Sequence, residues 1–398
     1  MKTNWKTLLI GTLCIVWGLA FFVSCSSSEG FDWSRLSLQK YEKKSYTTEA
    51  ELQSINLISD TDDIVILPSA DHTTKVDYVD SNVLKYDISV SDGTLYVKLE
   101  DNRKWYHYIN VYSPSNALTI YLPEKEYSSL NIQGDTSDIT IGSNLTFGAL
   151  EIRVSTGDLS LSDLTCDSVS LTVSTGDISV SNLNISGDLY AKGGTGDKAF
   201  QNVSCNNATF IASTGITSIS QMKAVGDVSV ESETGRQSYY DLTCNNATLI
   251  SETGDKEISS LTAFGNLTVE SDTGDNLFSN TICDDLTVTT STGKQTYTAF
   301  SCASAKLTAN TGDISMTNLV ASEQMGINTS TGDVSFDHCD AGSLSIQTST
   351  GSVTGTFRTP KIFYAQSSSG KVEVPSSTEG GLCQVQTSTG RIKLSIAE

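Results

Sequence analysis

The residues of this sequence best suited to chemistry are carboxylates placed directly after a glycine. In the stretch "TVSTGDISV", residues 172–180, Asp177 follows Gly176. A glycine turn of this kind can hold a phosphate on its backbone N–H groups, and the aspartate can serve as a base or a cation ligand. A binding or catalytic site would normally need only one copy of the motif. The number of copies in the chain therefore distinguishes a site from a structural turn.

The motif recurs at a fixed step, with Thr or Ser before each glycine. Successive glycines lie 19 or 20 residues apart at Gly157, Gly176, Gly196, Gly215, Gly235, Gly254, Gly274, Gly293, Gly312, Gly332, Gly351, Gly370 and Gly390. Thirteen copies indicate a repeated structural turn rather than thirteen sites. Glycine suits such a turn because it adopts a positive φ without a Cβ clash.

Acidic side chains around this turn suggest a calcium site. The candidates, two residues before or one residue after a glycine, are Glu233, Glu252, Asp255, Asp272 and Asp275. The alternative is a solvated acidic face whose charge is offset by Arg236, Lys256 and Lys294. We expect the solvated face, without a metal or other cofactor, because a flat face offers few of the about six to eight oxygens that calcium prefers.

Nine cysteines first suggest a disulfide framework or a metal site. Five stand nine residues after a glycine of the repeat, where other copies have Ala or Ile: Cys166, Cys205, Cys244, Cys283 and Cys302. This spacing predicts interior positions, where cysteine acts as a small apolar residue, and Cys339 and Cys383 also fall on inward positions. Only Cys283 and Cys302 lie in adjacent copies, so a disulfide between them and metal binding are the alternatives.

The repeat brings no catalytic group together. The histidines His72, His107 and His338 are scattered along the chain. The constant step also leaves no room for the long loops that would build a cleft on a repeat scaffold. We therefore expect no enzymatic activity and no catalytic residues.

Short strands must position these residues. Apolar residues alternate on both sides of Gly176, at Val169, Leu171, Val173, Ile178 and Val180. Period two predicts strands with one apolar side, and one repeat cannot enclose a core. The sequence therefore predicts an all-β fold, a parallel β-helix (β-solenoid) of 19–20-residue coils. At about 4.8 Å per coil, the repeats would form a rod of roughly 60 Å.

Three segments are expected along the chain. Residues 1–25 form a signal or anchor, residues 26–130 a β-rich cap with the first irregular coils, and residues 131–398 the solenoid. Within the last segment, "TSD" at 136–138 resembles a degenerate first corner.

The two ends of the solenoid are expected to differ in cover. Trp105, Tyr106 and Tyr108 should cover the open end of the core near the amino terminus. The C-terminal "GRIKLSIAE" should end the stack, with little cover beyond the charged side chains of Arg391, Lys393 and Glu398.

The amino-terminal residues predict export. Lys2 and Lys6 precede an apolar run over residues 8–23, and Cys25 follows. Three outcomes are compatible with this pattern: a lipoprotein with Cys25 lipidated, an uncleaved transmembrane anchor, or full secretion. The first two place the chain on the cell membrane with its repeat domain extracytoplasmic.

A net charge of −21 restricts the partners. Such a surface repels phosphate backbones and anionic headgroups, so nucleic acid is not expected as a partner. The expected partners are the membrane, through the anchor, and a surface protein or glycan of unknown identity.

Several stretches together resemble a known family. They are the leader, "GFDWSRLS", "VSDGTLYVKLEDNRKWY", the strand at Leu118–Pro123 with "EKEYSSL", and the chain of "STGD" repeats. The chain thus resembles the membrane-anchored bacterial proteins called putative adhesins, a domain built of β-strand repeats. The resemblance implies this fold and brings no catalytic residues.

Two functions follow from these features. The first is a non-enzymatic cell-surface adhesion or interaction protein, tethered to the membrane and exposed outside the cell. The alternative is an envelope sensor or regulatory protein that acts through a membrane partner at its anchor.

Overall fold

The computed structural model describes residues 40–71, 73–103 and 117–397. Outside these residues lie the leader with Cys25, His72, Trp105, Tyr106, His107, Tyr108 and Glu398. The expectations placed on those residues stay predictions.

Every helix or strand assigned in the described residues is a β-strand, and all the strands belong to one sheet. The first half comprises β1 Tyr41–Thr48, β2 Ser54–Ser59, β3 Asp63–Pro68, β4 Thr74–Ser81, β5 Leu84–Ser91, β6 Thr94–Asp101, β7 Ala117–Leu122, β8 Glu126–Thr136, β9 Ile139–Ile141, β10 Leu145–Thr156, β11 Leu159–Thr175, β12 Ile178–Ile185, β13 Leu189–Thr195, β14 Lys198–Cys205, β15 Ala208–Thr214 and β16 Thr217–Ala224. The second half comprises β17 Val228–Thr234, β18 Gln237–Cys244, β19 Ala247–Thr253, β20 Lys256–Ser259, β21 Thr262–Ala263, β22 Leu267–Thr273, β23 Asn276–Ile282, β24 Asp285–Thr292, β25 Gln295–Thr311, β26 Ile314–Thr331, β27 Val334–Thr350, β28 Val353–Phe357, β29 Lys361–Ser367, β30 Val372–Glu373, β31 Gly381–Thr389 and β32 Ile392–Ile396.

Successive coils pair in parallel and in register. The threonines before the glycines align directly, so that Thr156 pairs with Thr175 and Thr175 with Thr195. Thr136 pairs with Thr156 in the same way, which places a first corner at residues 136–138. The parallel β-solenoid with coils of 19 to 20 residues is therefore confirmed.

The alternating apolar residues fill one core along the axis. Val169, Leu171 and Val173 are 2 % exposed or less. Because parallel stacking aligns each inward position with its equivalent in the next coil, like side chains meet along the axis. Phe278 and Tyr297 stack in this way, with ring centroids 4.7 Å apart and planes inclined by 5°.

A second corner stands six residues after the glycine and was missed by the sequence analysis. Its residues have φ between 48° and 56°: Asp163, Asn182, Asn202, Gln221, Asp241, Ser260, Asn280, Ala299, Asn318 and His338. Asn and Asp tolerate this left-handed conformation better than most residues. Their side chains also link coils, since Asn182 Nδ2 donates to Asp163 Oδ1 at 2.8 Å.

The amino-terminal end of the solenoid does not follow chain order. Strand β2 lies between β6 and β8, and β3 lies between β7 and β9, all in parallel pairing. The coil made by β6 and β7 is therefore outside the coil made by β2 and β3. Antiparallel strands β5 and β4 pair with this outer coil, and β1 pairs with β4, so the sheet continues past the parallel coils.

The carboxyl-terminal end is reordered in the same manner. Strand β31 lies between β27 and β29, and β32 lies between β28 and β30. The prediction that "GRIKLSIAE" ends the stack with little cover is wrong, because the preceding coil of β29 and β30 covers it. Ile392 and Leu394 are accordingly buried, at 0 % and 4 % exposed.

Candidate functional site

The repeated turn has room only for glycine. At Gly254, φ is 138°, which other residues rarely adopt. A Cβ at this position would also lie closer than 3.0 Å to the carbonyl oxygen of Gly235 in the neighbouring coil. Gly351 and Gly370 lack the positive φ, yet a Cβ on either would meet a backbone carbonyl of the adjacent coil in the same way. The close approach of backbones in adjacent coils is thus a second reason why glycine recurs at this position.

The carboxylate after the glycine binds the backbone of the next coil. Asp177 Oδ1 accepts a hydrogen bond from the N–H of Asp197 at 2.7 Å. The equivalent bond is made by Asp138, Asp158, Asp197, Asp255, Asp275, Asp313 and Asp333. Each carboxylate therefore satisfies a corner N–H group, a role that requires no ligand.

Replacing Asp177 with alanine should lower the free energy of unfolding by about 1 kcal/mol, because the N–H of Asp197 loses its acceptor. The Asp177→Asn variant keeps an acceptor oxygen and should lose less. Urea unfolding of both variants measures the difference. Equal stability of the alanine variant and the unmodified protein would show that the bond contributes nothing.

The five acids considered for calcium line adjacent corners. Asp255 Oδ1 accepts the N–H of Asp275 at 2.9 Å, while Glu233, Glu252 and Asp272 stand two residues before their glycines. Over residues 40–71, 73–103 and 117–397, no group of three or more His, Cys, Asp or Glu side chains is arranged to hold a metal ion. We keep the solvated face as a prediction: calcium and sodium chloride at equal ionic strength should raise the melting temperature by similar amounts.

One of the cations expected to offset these acids points inward instead. Arg236 pairs with Glu257 on the surface, as a charge-offsetting residue should. Lys256 is 1 % exposed and lies inside the solenoid. The expectation that Lys256 neutralises the acidic face is therefore wrong, because the second position after the glycine faces the core.

Lys256 is held inside by neutral acceptors. Its Nζ donates to Ser251 Oγ, to Ser271 Oγ at 2.6 Å and to the carbonyl oxygen of Glu270 at 2.8 Å. Burial removes the ammonium from water and lowers the pKa of Lys256 to about 7, opposed only by the charge of Glu270. The side chain therefore changes charge near neutral pH.

Lys256 belongs to a file of buried polar side chains that occupy the second position after the glycine in consecutive coils. Its members are Lys198, Thr217, Gln237, Lys256, Asn276 and Gln295. Asn276 Oδ1 accepts from Ser271 Oγ of its own coil at 3.0 Å, and Asn276 Nδ2 donates to Thr290 Oγ1 of the next coil at 3.0 Å. Hydrogen bonds therefore satisfy these buried polar side chains both within a coil and between adjacent coils.

The seven cysteines in the described residues are buried free thiols. The interior positions predicted from the spacing are confirmed, for example by Cys166 and Cys244 at 1 % and 0 % exposed. Cys283 and Cys302 also carry free thiols rather than a disulfide. Burial raises the pKa of both thiols, to about 12 for Cys302, so they are poor nucleophiles and metal ligands at neutral pH.

Two grooves open on the outer surface near the carboxyl-terminal end. One, of about 380 Å³, is lined mainly by serine and threonine with Asp337 and Lys393. Asp337 Oδ1 accepts from Thr356 Oγ1 at 2.7 Å and lies 2.8 Å from His338 Nδ1. These bonds, Thr356 first, lower the pKa of Asp337, which makes it a weak base. His338 thus contacts an acid, but the pair is suited to structure rather than proton transfer.

The second groove has a volume of about 270 Å³ and no charged lining residue. Tyr364 and four glutamines, Gln347, Gln366, Gln384 and Gln386, line it. We call these five residues the amide patch. Nothing in the sequence analysis singled them out, because they come from three separate stretches of the chain.

An uninterrupted stack of parallel coils with hydrogen-bonded corners defines the class of protein as a parallel β-solenoid. The chain belongs to the Toastrack DUF4097 family, whose model matches residues 52–187 and 251–398. A comparison with curated proteins finds no match. The described part of the chain contains no helix that is long and apolar enough to cross a membrane.

Several solved structures are similar over most of their length. A putative adhesin from Bacteroides fragilis shares 14 % identity over 90 % of this chain and 97 % of its own, with a TM-score of 0.22. A putative cell adhesion protein from Clostridium sporogenes shares 10 % identity over 90 % of this chain and 100 % of its own, with a TM-score of 0.17. A putative lipid binding protein from Parabacteroides distasonis shares 14 % identity over 80 % of this chain and 98 % of its own, with a TM-score of 0.21.

Proposed function

We propose that the chain is a non-enzymatic interaction protein that binds components of cell surfaces through the outer faces of its solenoid. The observation that carries this proposal is the continuous parallel stack, in which outward positions align in straight columns of mostly polar side chains. A rigid scaffold of this kind presents many side chains at fixed spacing without ordering a loop on binding, and so limits the entropic cost of association.

The absence of enzymatic activity is part of the same proposal. Of the two grooves near the carboxyl-terminal end, one has a lining acid, Asp337, that is hydrogen-bonded to its neighbours, and the other has no lining acid. Binding at a flat polar surface needs neither a base of suitable pKa nor a cleft that excludes water.

The apolar leader at residues 8–23 supports a tether to the cell membrane with the solenoid outside. The same leader supports the second candidate function, an envelope sensor that acts through a membrane partner. The two differ in which part of the chain binds, the solenoid or the anchor.

Binding of the full-length protein to intact cells and to arrays of surface glycans tests the first function. We expect saturable binding to at least one surface component. If the protein bound neither cells nor any component of the array, the interaction role would be wrong and only a scaffold role would be left.

A further inference from the structure

The amide patch lies on the outermost coils of the carboxyl-terminal end. The coil of β29 is the last along the axis, β31 lies beneath it, and β27 follows. If the leader holds the protein at the membrane, this end is distal to the tether. A ligand on another surface would meet it first.

The register of three parallel strands aligns the side chains of the amide patch in two adjacent columns. In one column, Gln347 pairs with Gln386 and Gln386 pairs with Gln366. In the next column, Ser345 pairs with Gln384 and Gln384 pairs with Tyr364. Adjacent coils are about 4.8 Å apart, so the four amides and the ring form one continuous surface.

Buried residues hold this surface rigid. Ile346, Cys383 and Val385 alternate with the outward side chains and are 2 % exposed or less. Tyr364 is 65 % exposed, so its ring is accessible to a ligand. The platform is therefore formed before any ligand arrives.

The four glutamine amides are free to bind a ligand. Within the described residues, their side chains make no hydrogen bond to another protein group, in contrast to the corner residues Asn182 and Asn202, which bond across coils. Each amide offers both a donor and an acceptor. Four such groups beside an aromatic ring match a ligand rich in hydroxyl groups that also has an apolar face.

The charges at and around the amide patch restrict the class of ligand further. No ionised side chain lines this groove, whereas the chain as a whole carries a net charge of −21. The patch has no cation to hold an acidic ligand, and the surrounding field repels one. A neutral sugar fits, because its hydroxyl groups pair with amides and the C–H face of its ring packs on tyrosine.

We infer that the amide patch is a binding site for a neutral oligosaccharide, with Tyr364 as the stacking platform and Gln366, Gln384 and Gln386 as the hydrogen-bonding groups. This inference rests on the proposed surface-binding function and gives it a location and a ligand class. The groove of about 270 Å³ has room for about one or two sugar rings.

Calorimetric titration of the full-length protein with maltohexaose, cellohexaose and chitohexaose tests the inference, with polygalacturonate as the anionic probe. We expect binding of at least one neutral oligosaccharide with one site per chain. The Tyr364→Ala variant should bind at least about tenfold more weakly, and so should a Gln384→Ala, Gln386→Ala variant. Tyr240→Ala is the matched control, because Tyr240 is 56 % exposed but lies in β18, away from the patch; its affinity should not change.

Several results would overturn the inference: no binding of the three neutral probes, tighter binding of polygalacturonate, or unchanged affinity in the Tyr364→Ala variant. Cell binding measured on the same variants separates this failure from failure of the proposed function. If cells bind Tyr364→Ala as well as the unmodified protein, the patch is not the site and the surface role stands. If cells do not bind the unmodified protein, the surface role itself is wrong.

Discussion

Replacing Gly254 with valine should lower the free energy of unfolding by about 3 kcal/mol or more. The φ of 138° is strongly unfavourable for a β-branched residue. The new Cβ would also press on the carbonyl oxygen of Gly235, and this contact cannot relax without separating two coils. A one-residue shift of the strand would expose its apolar side, so the coil has no alternative register.

Gly326→Val is the matched control for this substitution. Gly326 lies in strand β26 without a positive φ, and the nearest atom to a Cβ there is the carbonyl oxygen of Ala305 at 3.9 Å. Thermal and urea unfolding should show little change in this variant, since valine favours strands. Equal stability of the Gly254→Val and Gly326→Val variants would contradict the corner geometry.

Raising the pH from about 7 to about 10.5 should stabilise the unmodified protein relative to a Lys256→Met variant, by on the order of 4 kcal/mol. The pKa of Lys256 is about 7 in the folded protein and has its ordinary value of 10.5 in the unfolded chain. Between these values the unfolded state binds more protons, so stability rises with pH. Below pH 7 Lys256 is protonated in both the folded and the unfolded protein. The full cost of burying its charge then lowers the free energy of unfolding.

The comparison with the methionine variant is needed because other groups also titrate. The pKa of the buried cysteines is raised, as for Cys244 to about 12, so their contribution to stability falls as pH rises through the alkaline range. This contribution is common to both proteins and cancels in the difference. Lys306→Met, which removes an exposed lysine, controls for the loss of one positive charge. A constant difference in stability between the unmodified protein and Lys256→Met from pH 6 to 11 would show that Lys256 is not buried in the core.

The constant spacing of the glycines was enough to predict the solenoid, because each copy of the motif needs the same turn between two short strands. Period-two alternation placed Val169 and Leu171 inside, and the common position of the cysteines placed Cys166 and Cys244 there too. The second corner was visible in principle, since Asn182, Asn202 and Asn318 recur six residues after a glycine. It was missed because several other residue types, including Ala299, occupy the same position.

The order of coils at the two ends could not be predicted in this way. Every repeat carries a similar pattern, so the local sequence does not say which coil lies outermost. At the carboxyl-terminal end, β31 enters between β27 and β29 and brings Gln386 between Gln347 and Gln366. The amide patch is therefore a product of reordering: in the sequence, Gln366 lies between the other two, and in the fold it lies at the edge.

The inward position of Lys256 shows a different limit. Its charge predicted a surface residue near the acids, whereas its place in the repeat, two residues after the glycine, faces the core. The structure resolves the conflict through the polar file, in which Ser251 and Ser271 supply acceptors that an apolar core lacks. A partner set of this kind depends on two adjacent coils and cannot be read from one repeat.

Saturable binding to immobilised cell surfaces, measured for the full-length protein and for a form lacking residues 1–25, tests most directly whether the solenoid itself is the binding part. If the outer faces of the solenoid bind the ligand, both forms should bind with equal affinity in solution, because residues 1–25 make none of the contacts. A truncated form that shows an unchanged thermal unfolding transition, and is therefore folded, but has lost all binding would contradict the surface-interaction role. That result would favour a sensor that acts through its anchor.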